Sequence, residues 1–358
     1  MRNMARLGWG AGLAVLTALI LSGCGGGGDK SAAASYSSLV TFGDSLSDVG
    51  TYKVDKVALL GGGKYTVNSA TDKNWTELLA AQLGLPAPCA SQTGLDGSYF
   101  NAAVTNHVAC LNYAQGGSRV TNPVGPGSKY IPDSAALGQL TVPVATQINT
   151  HLTKIGGKFS GTELVTVMAG GNDVFMNLGA VGASMMTPTA AVTAMGVAGA
   201  ELSTYIKTYI TGNNAKKVLV LNIPDIKGTP FGQSQGADTQ GLIDLMVSTF
   251  NNQLKSGLQG TPGVLLIDAY SASKDEVANP AKYGLSNVTG TACKLTTDPN
   301  PPDPQVNPLN SSLVCNASNV VAGDVSRYLF ADTVHPTPYG YQLMSQLVFK
   351  ELVLAKWY

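Results

Sequence analysis

The sequence is poor in charge. Lys plus Arg and Asp plus Glu each number 22 among 358 residues, so only 12% of the chain is charged and the formal net charge is zero. A chain without an excess of one sign has no overall field to attract nucleic acid or to hold an anionic membrane surface. We therefore expect a neutral or small-molecule partner and no nucleic acid.

Histidine is scarce, with three in the chain, and no two of the five cysteines stand in Cys-x-x-Cys spacing. Structural zinc sites are built from cysteine and histidine ligands at such short spacings. Zinc remains a rival explanation of the cysteines, but the spacing does not favour it. We expect no metal and no cofactor.

The N-terminal apolar run, residues 7–21, is too short to be a membrane-spanning helix. It follows Arg2 and Arg6 and ends in Leu-Ser-Gly-Cys24, so residues 1–23 have the pattern of a signal peptide. The tetrapeptide resembles a bacterial lipobox, which implies cleavage before Cys24 and a lipid on its thiol. The alternative is an ordinary signal peptide with a chance cysteine.

Residues 24–37 contain a glycine run followed by serine and alanine, a composition typical of a flexible tether. Buried acyl chains gain about 0.8 kcal/mol per methylene, so several chains on Cys24 would give stable anchoring. No Asp follows Cys24, and among bacterial lipoproteins this indicates the outer membrane. We expect an exported lipoprotein on the periplasmic face or the cell surface.

Four further cysteines remain once Cys24 is set aside: Cys89, Cys110, Cys293 and Cys315. An even number in an exported chain indicates disulfides, and four cysteines allow three connectivities. The local pairs, Cys89 with Cys110 and Cys293 with Cys315, close the shortest loops. Each would fasten a surface loop.

From residue 38 onward, short apolar runs alternate with segments of helical period, which predicts a parallel sheet between helices. The predicted strands are 39–42, 164–168, 218–223 and 264–268, and the predicted helices are 75–83, 142–155, 190–210, 241–258 and 338–356. Near-continuous apolar strands are typical of a sheet covered on both faces. The pattern predicts a three-layer α/β/α sandwich with a mainly parallel sheet.

Two stretches interrupt this alternation, residues 87–132 and 286–325, and each contains one of the expected local disulfides. They read as long ordered excursions rather than linkers between domains. No internal repeat is visible, so residues 38–358 are predicted to form a single domain.

Two segments far apart in the chain carry the residue types of a serine hydrolase. Ser45 follows the first predicted strand closely, while Asp332 and His335 precede the last helix. A serine hydroxyl is a weak nucleophile at neutral pH, so it needs an imidazole as general base and a carboxylate that orients the imidazole. Ligands bind at the carboxyl ends of parallel strands, where these segments are expected to meet.

The chain resembles the GDSL, or SGNH, hydrolase family through four blocks in the family's order. The blocks are Gly43-Asp44-Ser45-Leu46, Asn112-Tyr113-Ala114-Gln115-Gly116-Gly117-Ser118, Gly170-Gly171-Asn172-Asp173 and Asp332-Thr333-Val334-His335. The resemblance implies a flavodoxin-like SGNH fold with Ser45 as nucleophile, His335 as base and Asp332 as its carboxylate.

The same resemblance implies an oxyanion hole made by the backbone N–H groups of Ser45 and Gly117 and the side chain of Asn172. Gly116 is the alternative to Gly117, one residue away. We expect Asp48 and Asp173 to fix loops rather than to take part in the chemistry. Seen alone, each block has an ordinary explanation as a turn or a helix cap.

A competing motif is Gly-Gln-Ser-Gln-Gly at residues 232–236, which matches the nucleophile elbow of α/β-hydrolases. That elbow needs a strand leading directly into Ser234, and the nearest predicted strand ends at residue 223. The match is therefore interpreted as accidental. His107 and His151 are predicted to be surface residues.

The resemblance implies an esterase, lipase or phospholipase that cleaves a small-molecule or lipid ester through an acyl-serine intermediate, and we expect a monomer. A carbohydrate O-deacetylase would use the same residues in a polar, shallow cleft. A lipoprotein that binds carbohydrate or lipid without turnover is an alternative from another class. Substrate and acyl-chain length depend on pocket walls that the sequence does not specify.

Overall fold

The computed structural model describes residues 36–295 and 307–358, and the elements below refer to these ranges. The strands are β1 (Leu39–Gly43), β2 (Gln92–Asp96), β3 (Asn101–Asn106), β4 (Leu164–Met168), β5 (Lys217–Leu221), β6 (Val264–Ile267), β7 (Asn287–Thr291) and β8 (Tyr328–Phe330). The helices are α1 (Asp55–Leu59), α2 (Trp75–Gln82), α3 (Val144–Lys154), α4 (Gly171–Gly182), α5 (Pro188–Tyr205), α6 (Pro230–Gln233), α7 (Ala237–Leu258), α8 (Ala269–Ala278) and α9 (Pro338–Leu354). Cys24 and the predicted signal peptide lie outside the described residues.

The central sheet has the strand order β1-β4-β5-β6, and every pair is parallel. Leu39 of β1 lies opposite Leu164 of β4, which lies opposite Lys217 of β5. Every residue of β1 and β4 is buried. Burial on both faces explains why these strands are near-continuous apolar runs rather than alternating ones.

Residues 111–115 extend the sheet beyond β1. The Thr41 N–H donates to the Leu111 carbonyl at 3.0 Å, and the Tyr113 N–H donates to the Thr41 carbonyl at 2.8 Å, in a parallel pairing. With this segment at the edge, the order is the flavodoxin-like one. The sequence places 111–115 within an ordered excursion and does not predict this pairing, because the polar Asn112 and Gln115 mask the strand pattern.

Helices cover both faces of the sheet. Alternate strand residues such as Val40, Phe42 and Val165 pack with α3, α5 and α7 in one core. The residues between them, such as Leu39 and Leu164, pack with α2 and α9 in the other. The period of two along each strand thus divides the apolar side chains between two layers. The predicted three-layer sandwich is confirmed.

The predicted strands and helices are present with ends within four residues, counting the π-helical turn Ile206–Thr211 that continues α5. The helices α1, α4, α6 and α8 were not predicted. Glycines weaken the helical signal of α4, because glycine costs about 1 kcal/mol relative to alanine inside a helix. Packing of Val174 in the core overrides that preference.

The described parts of the two excursions are ordered. The first contains an antiparallel hairpin of β2 and β3, and the second contributes β7, which pairs in parallel with β8. Both predicted local disulfides are present, Cys89–Cys110 with Cα atoms 5.1 Å apart and Cys293–Cys315 with Cα atoms 5.8 Å apart. Each disulfide closes a loop within its own excursion.

Candidate active site

The loop that carries Ser45 begins at the carboxyl end of β1, and Ser45 lies at the wall of a cleft with 8% of its surface exposed. The peptide groups of Gly43 are held by the side chain of Gln147, from α3. Gln147 Oε1 accepts from the Gly43 N–H and its Nε2 donates to the Gly43 carbonyl, both at 2.8 Å. Sequence reasoning missed Gln147, which fixes the backbone two residues before Ser45.

Ser45, His335 and Asp332 form one hydrogen-bonded line. His335 Nε2 lies 2.8 Å from Ser45 Oγ, although the two residues are 290 positions apart in the chain. His335 Nδ1 lies 2.9 and 2.8 Å from the two oxygens of Asp332. This is the geometry in which an imidazole takes a proton from a serine while a carboxylate fixes its orientation.

Asp332 is buried and accepts three backbone N–H groups besides the imidazole. Oδ1 accepts from Val334 at 3.0 Å and from His335 at 2.8 Å, and Oδ2 accepts from Ser312 at 2.7 Å. Burial alone would raise the pKa of Asp332. The pKa is nevertheless well below its ordinary value, because His335 acts on the carboxylate by charge and hydrogen bonds and Ser312 by hydrogen bonds. The carboxylate therefore stays ionised beside His335.

The imidazole of His335 packs against the ring of Tyr65, with ring centroids 4.7 Å apart. Tyr65 is buried, and its hydroxyl is hydrogen-bonded to Gln139. A Cβ on Gly116 would lie 2.0 Å from that hydroxyl, so glycine at 116 makes room for the tyrosine. Tyr65 was not predicted, and it limits the orientations open to the base.

Of the two candidate glycines of the oxyanion hole, Gly117 has the available N–H. The Gly116 N–H donates to Asp48 Oδ2 at 3.0 Å, whereas the Gly117 N–H has no acceptor among the described residues. Gly117 has φ of +81°, and a Cβ there would lie 2.2 Å from the Pro126 carbonyl. The contacts of Asp48 are therefore those of a loop-fixing carboxylate.

Asn172 lies in the first turn of α4 and lines the same cleft as Ser45 and His335. Its Nδ2 donates to the Ser118 carbonyl at 2.8 Å, which leaves the second amide hydrogen for another acceptor. The neighbouring Asp173 accepts from Arg119 Nε at 2.9 Å and from the Val120 N–H at 3.0 Å. Asp173 thus fixes the loop that follows Gly117.

Asp44, next to Ser45, is a buried carboxyl to which sequence reasoning gave no role. Its Oδ1 accepts the Leu46 N–H at 3.1 Å, and the residue lines the cleft. Burial raises the pKa of Asp44 to about 7, against the opposing effects of the Leu46 N–H and His335. A group beside the nucleophile therefore changes charge near neutral pH.

The cleft is walled mainly by apolar side chains from the carboxyl ends of β4 and β5 and from α4. They include Met168, Phe175, Ile223 and Ile226. The cleft is partly open to solvent. Such a lining suits an aliphatic or aromatic group next to the reacting carbonyl.

The competing Ser234 does not stand on a nucleophile elbow. It follows the short helix α6, is exposed, and donates to the Phe231 carbonyl at 2.8 Å. The histidine that would activate a serine is bonded to Ser45 instead. The interpretation of the Gly-x-Ser-x-Gly match as accidental agrees with this geometry.

The prediction that His107 and His151 are surface residues was wrong for His151. His151 is 2% exposed, packs near Phe42 and Phe159, and its Nδ1 lies 3.0 Å from the Tyr113 hydroxyl. Burial lowers its pKa to about 4. The position of His151, three residues after the buried Ile148 on α3, was the signal that could have placed it inward. His107 is half-buried.

Among residues 36–295 and 307–358, no group of three or more His, Cys, Asp or Glu side chains is placed to hold a metal ion. In the same two ranges, none of the helices combines the length and apolar character needed to cross a bilayer.

This chain is similar to known proteins over most of its length. A family model described as GDSL-like Lipase/Acylhydrolase matches residues 39–348. A GDSL esterase/lipase of Arabidopsis thaliana is 26% identical over 340 residues, which cover 85% of this chain and 83% of the relative. Esterase EstA of Pseudomonas aeruginosa is 27% identical over 355 residues, 92% of this chain and 48% of EstA, so this chain spans about half the length of EstA.

Among solved structures, an extracellular lipase of Streptomyces rimosus aligns with a TM-score of 0.40 at 16% identity, covering 88% of this chain and 99% of the lipase. The range matched by the family model contains every residue of the site, from Ser45 to His335.

Proposed function

The chain belongs to the GDSL-like lipase/acylhydrolase family and is a carboxylic ester hydrolase, and we propose that its reaction passes through an acyl ester of Ser45. The observation that carries this proposal is the line from Ser45 Oγ through His335 to Asp332, with hydrogen bonds of 2.8 Å on both sides of the imidazole. The apolar cleft beside it leaves room for an ester.

In the acylation step, Ser45 Oγ attacks the carbonyl carbon of the ester while its proton moves to His335 Nε2. Asp332 accepts the hydrogen on Nδ1 and stabilises the imidazolium that forms. When the tetrahedral intermediate collapses, the bond from the carbonyl carbon to the alcohol oxygen breaks, and His335 gives its proton to that oxygen. General-base help of this kind contributes about 10²- to 10⁴-fold to the rate.

In the deacylation step, His335 takes a proton from a water molecule while the water oxygen attacks the acyl carbon. The bond between that carbon and Ser45 Oγ breaks, and the proton returns to Oγ. The products are a carboxylic acid and the free enzyme, so no cofactor is consumed.

The negative charge on the carbonyl oxygen needs donors in both steps. We assign this role to the N–H groups of Ser45 and Gly117 and to the second amide hydrogen of Asn172. Support comes from Gly116, whose N–H is already used by Asp48, while that of Gly117 has no acceptor among the described residues. Loss of one oxyanion donor costs about 2.7–4 kcal/mol of transition-state stabilisation.

A fluorophosphonate probe tests the nucleophile, since it reacts with activated serines. We expect one adduct per chain, located on Ser45 by peptide mass spectrometry, and none on the Ser45→Ala variant. Ser234→Ala is the matched control and should label and turn over like the wild type. Loss of labelling in Ser234→Ala alone would sink the assignment, and no labelling of folded wild type would favour a binding protein without turnover.

The walls of the cleft favour esters of apolar acids over acetylated polysaccharide. A deacetylase would need polar groups along the substrate, whereas Met168, Phe175 and Ile223 line this cleft. Comparing an acetylated oligosaccharide with a soluble aliphatic ester on purified protein separates the two activities. We expect the aliphatic ester to give the higher kcat/KM.

We also propose that Cys24 carries a lipid that attaches the enzyme to the outer membrane. The support is the lipobox-like sequence and the distance along the chain from Cys24 to Tyr36, twelve residues, which span at most ~40 Å. Such a tether keeps Ser45 near the bilayer. Metabolic labelling with a palmitate analogue should mark the wild type in the membrane fraction, while Cys24→Ser should be unlabelled and released. Labelled Cys24→Ser would contradict the proposal.

A further inference from the structure

A second cavity adjoins the cleft at Ser45. Five residues line both cavities: Leu46, Pro224, Asp225, Thr229 and Val334. Leu46 directly follows the nucleophile and Val334 directly precedes the base. The two cavities therefore adjoin at residues that are next to Ser45 and His335 in the chain.

The second cavity is a groove between α8 and α9, which we call the α8–α9 groove. The α8 side presents one helical face through Ala269, Ala272 and Val277, and the α9 side presents Gly340, Met344 and Leu347. Ala272 and Val277 follow Ala269 by three and eight residues on α8, and the α9 residues are four and three apart, so each set lies along one side of its helix. Leu329 and Phe330 of β8 complete the apolar wall.

Several apolar side chains of this groove are only half-buried. They are Leu46, Val277, Met344 and Leu347, each of intermediate exposure. Water in contact with such surface is released when an aliphatic group replaces it, and each buried methylene strengthens binding by up to about fourfold. An aliphatic group lying in the groove would cover this apolar surface.

Two carboxyl groups also face the groove, Asp225 and Glu276. Burial raises the pKa of both, and it raises that of Glu276 to about 7, so Glu276 is partly neutral at neutral pH. Asp225 also lines the cleft at Ser45, whereas Met344 and Leu347 line only the groove.

We propose that the α8–α9 groove binds the distal methylenes of the acyl chain whose carbonyl carbon is attacked by Ser45. This inference rests on the proposed function and narrows its substrate class to esters of medium- or long-chain aliphatic acids. Leu46 and Val334 flank the chain where it leaves the reacting centre.

The test compares hydrolysis of soluble p-nitrophenyl acetate, butyrate, octanoate and decanoate below the concentration at which they aggregate. In the wild type, kcat/KM should rise at least tenfold from acetate to octanoate. Ala272→Trp places an indole in the groove and should lower kcat/KM for octanoate and decanoate at least tenfold, with less than a twofold change for acetate. Ala278→Trp, on the exposed end of the same helix, should behave as the wild type.

A wild-type preference for acetate, or an unchanged chain-length profile in Ala272→Trp, would overturn the groove assignment. A second measurement needs no substitution: free fatty acids should inhibit acetate hydrolysis by the wild type more strongly as their chain lengthens from butanoate to decanoate. Equal inhibition by all chain lengths would also overturn it. Failure of the proposed function looks different, because then no ester would be hydrolysed and Ser45 would not label.

Discussion

The backbone N–H of Ser312 donates to Oδ2 of Asp332 at 2.7 Å, and this contact joins the carboxylate beside His335 to the second excursion. Ser312 lies three residues before Cys315, which is bonded to Cys293. The Ser312 carbonyl in turn accepts from the Cys315 N–H at 3.1 Å. The disulfide therefore holds a donor that fixes the orientation of Asp332 and, through it, of His335.

Removing the Cys293–Cys315 bridge should lower activity more than removing the other bridge. The sequence separations are 22 and 21 residues, so loop entropy predicts a similar stability loss of about 3 kcal/mol for each. For the double variant Cys293→Ser/Cys315→Ser we expect kcat to fall about tenfold or more, because a small misplacement of catalytic groups is costly. The control Cys89→Ser/Cys110→Ser should keep its kcat.

Both double variants should be measured for kcat per fluorophosphonate-reactive site and for unfolding in urea, at a temperature where each is folded. Equal losses of kcat in the two variants would show that the bridges act on stability alone and that Ser312 is not tied to catalysis.

The positions of the triad could be predicted because serine, histidine and aspartate are distinctive residue types in short local motifs. The role of Ser312 could not be predicted, because it contributes only a backbone N–H, which every non-proline residue carries. Gln147 meets Gly43 across 104 residues of sequence, and no local pattern marks such a pair. Tyr65 likewise reaches His335 only through the tertiary fold.

Some elements of the fold could likewise be predicted from the sequence, and others could not. Strands β1 and β4 could be predicted because both of their faces are buried and their residues are nearly all apolar. The edge segment 111–115 could not, because Asn112 and Gln115 bond to loops: Asn112 Nδ2 donates to the Ser47 carbonyl at 2.9 Å. The periodicity of apolar residues in a sequence indicates which side chains are buried against a core. This periodicity is lost where the side chains of a strand form hydrogen bonds with loops.

Substituting Gln147 by Met keeps the length of the side chain and removes its amide. The Gly43 N–H would then lose its buried partner, whereas the Gly43 carbonyl would still accept the Gln115 N–H at 3.2 Å. One unsatisfied buried group costs about 1–3 kcal/mol, so we expect a loss of about 1–3 kcal/mol in unfolding free energy, together with a fall in kcat of about tenfold as Ser45 shifts. Urea denaturation and kcat per reactive site measure the two effects separately.

Gln342→Met, on an exposed face of α9, is the matched control and should change neither quantity appreciably. If Gln147→Met loses stability while kcat per reactive site stays at the wild-type value, Gln147 supports the fold without positioning the nucleophile.

The substitution Asn172→Ala removes the side-chain donor assigned to the oxyanion. We expect kcat to fall about 10²- to 10³-fold with a smaller change in KM, because the donor acts mainly in the transition state. Asn177→Ala is the control on the same helix: Asn177 is also buried, but its amide is directed to Met195 Sδ at 3.3 Å. Similar falls in kcat for both variants would count against a specific role of Asn172.

Asp44 should make the protein less stable as the pH rises from about 4 to about 7. Its pKa is raised from 3.8 to about 7 in the folded state, so in this range the folded protein keeps a proton that the unfolded chain has released. Stability then falls with pH, by up to about 1.4 kcal/mol per unit. Below pH 4 both states are protonated, and above pH 7 both are ionised, so the slope is confined to this window.

The variant Asp44→Asn cannot titrate, and its amide oxygen can still accept the Leu46 N–H. Its unfolding free energy relative to the wild type should therefore increase by about 2–4 kcal/mol between pH 4.5 and pH 8. Urea denaturation at several pH values measures this, with Asp324→Asn as the control at an exposed carboxyl. Two curves that run parallel across the range would mean that Asp44 is already ionised in the folded protein at low pH, stabilised by His335 and the Leu46 N–H more strongly than its burial opposes.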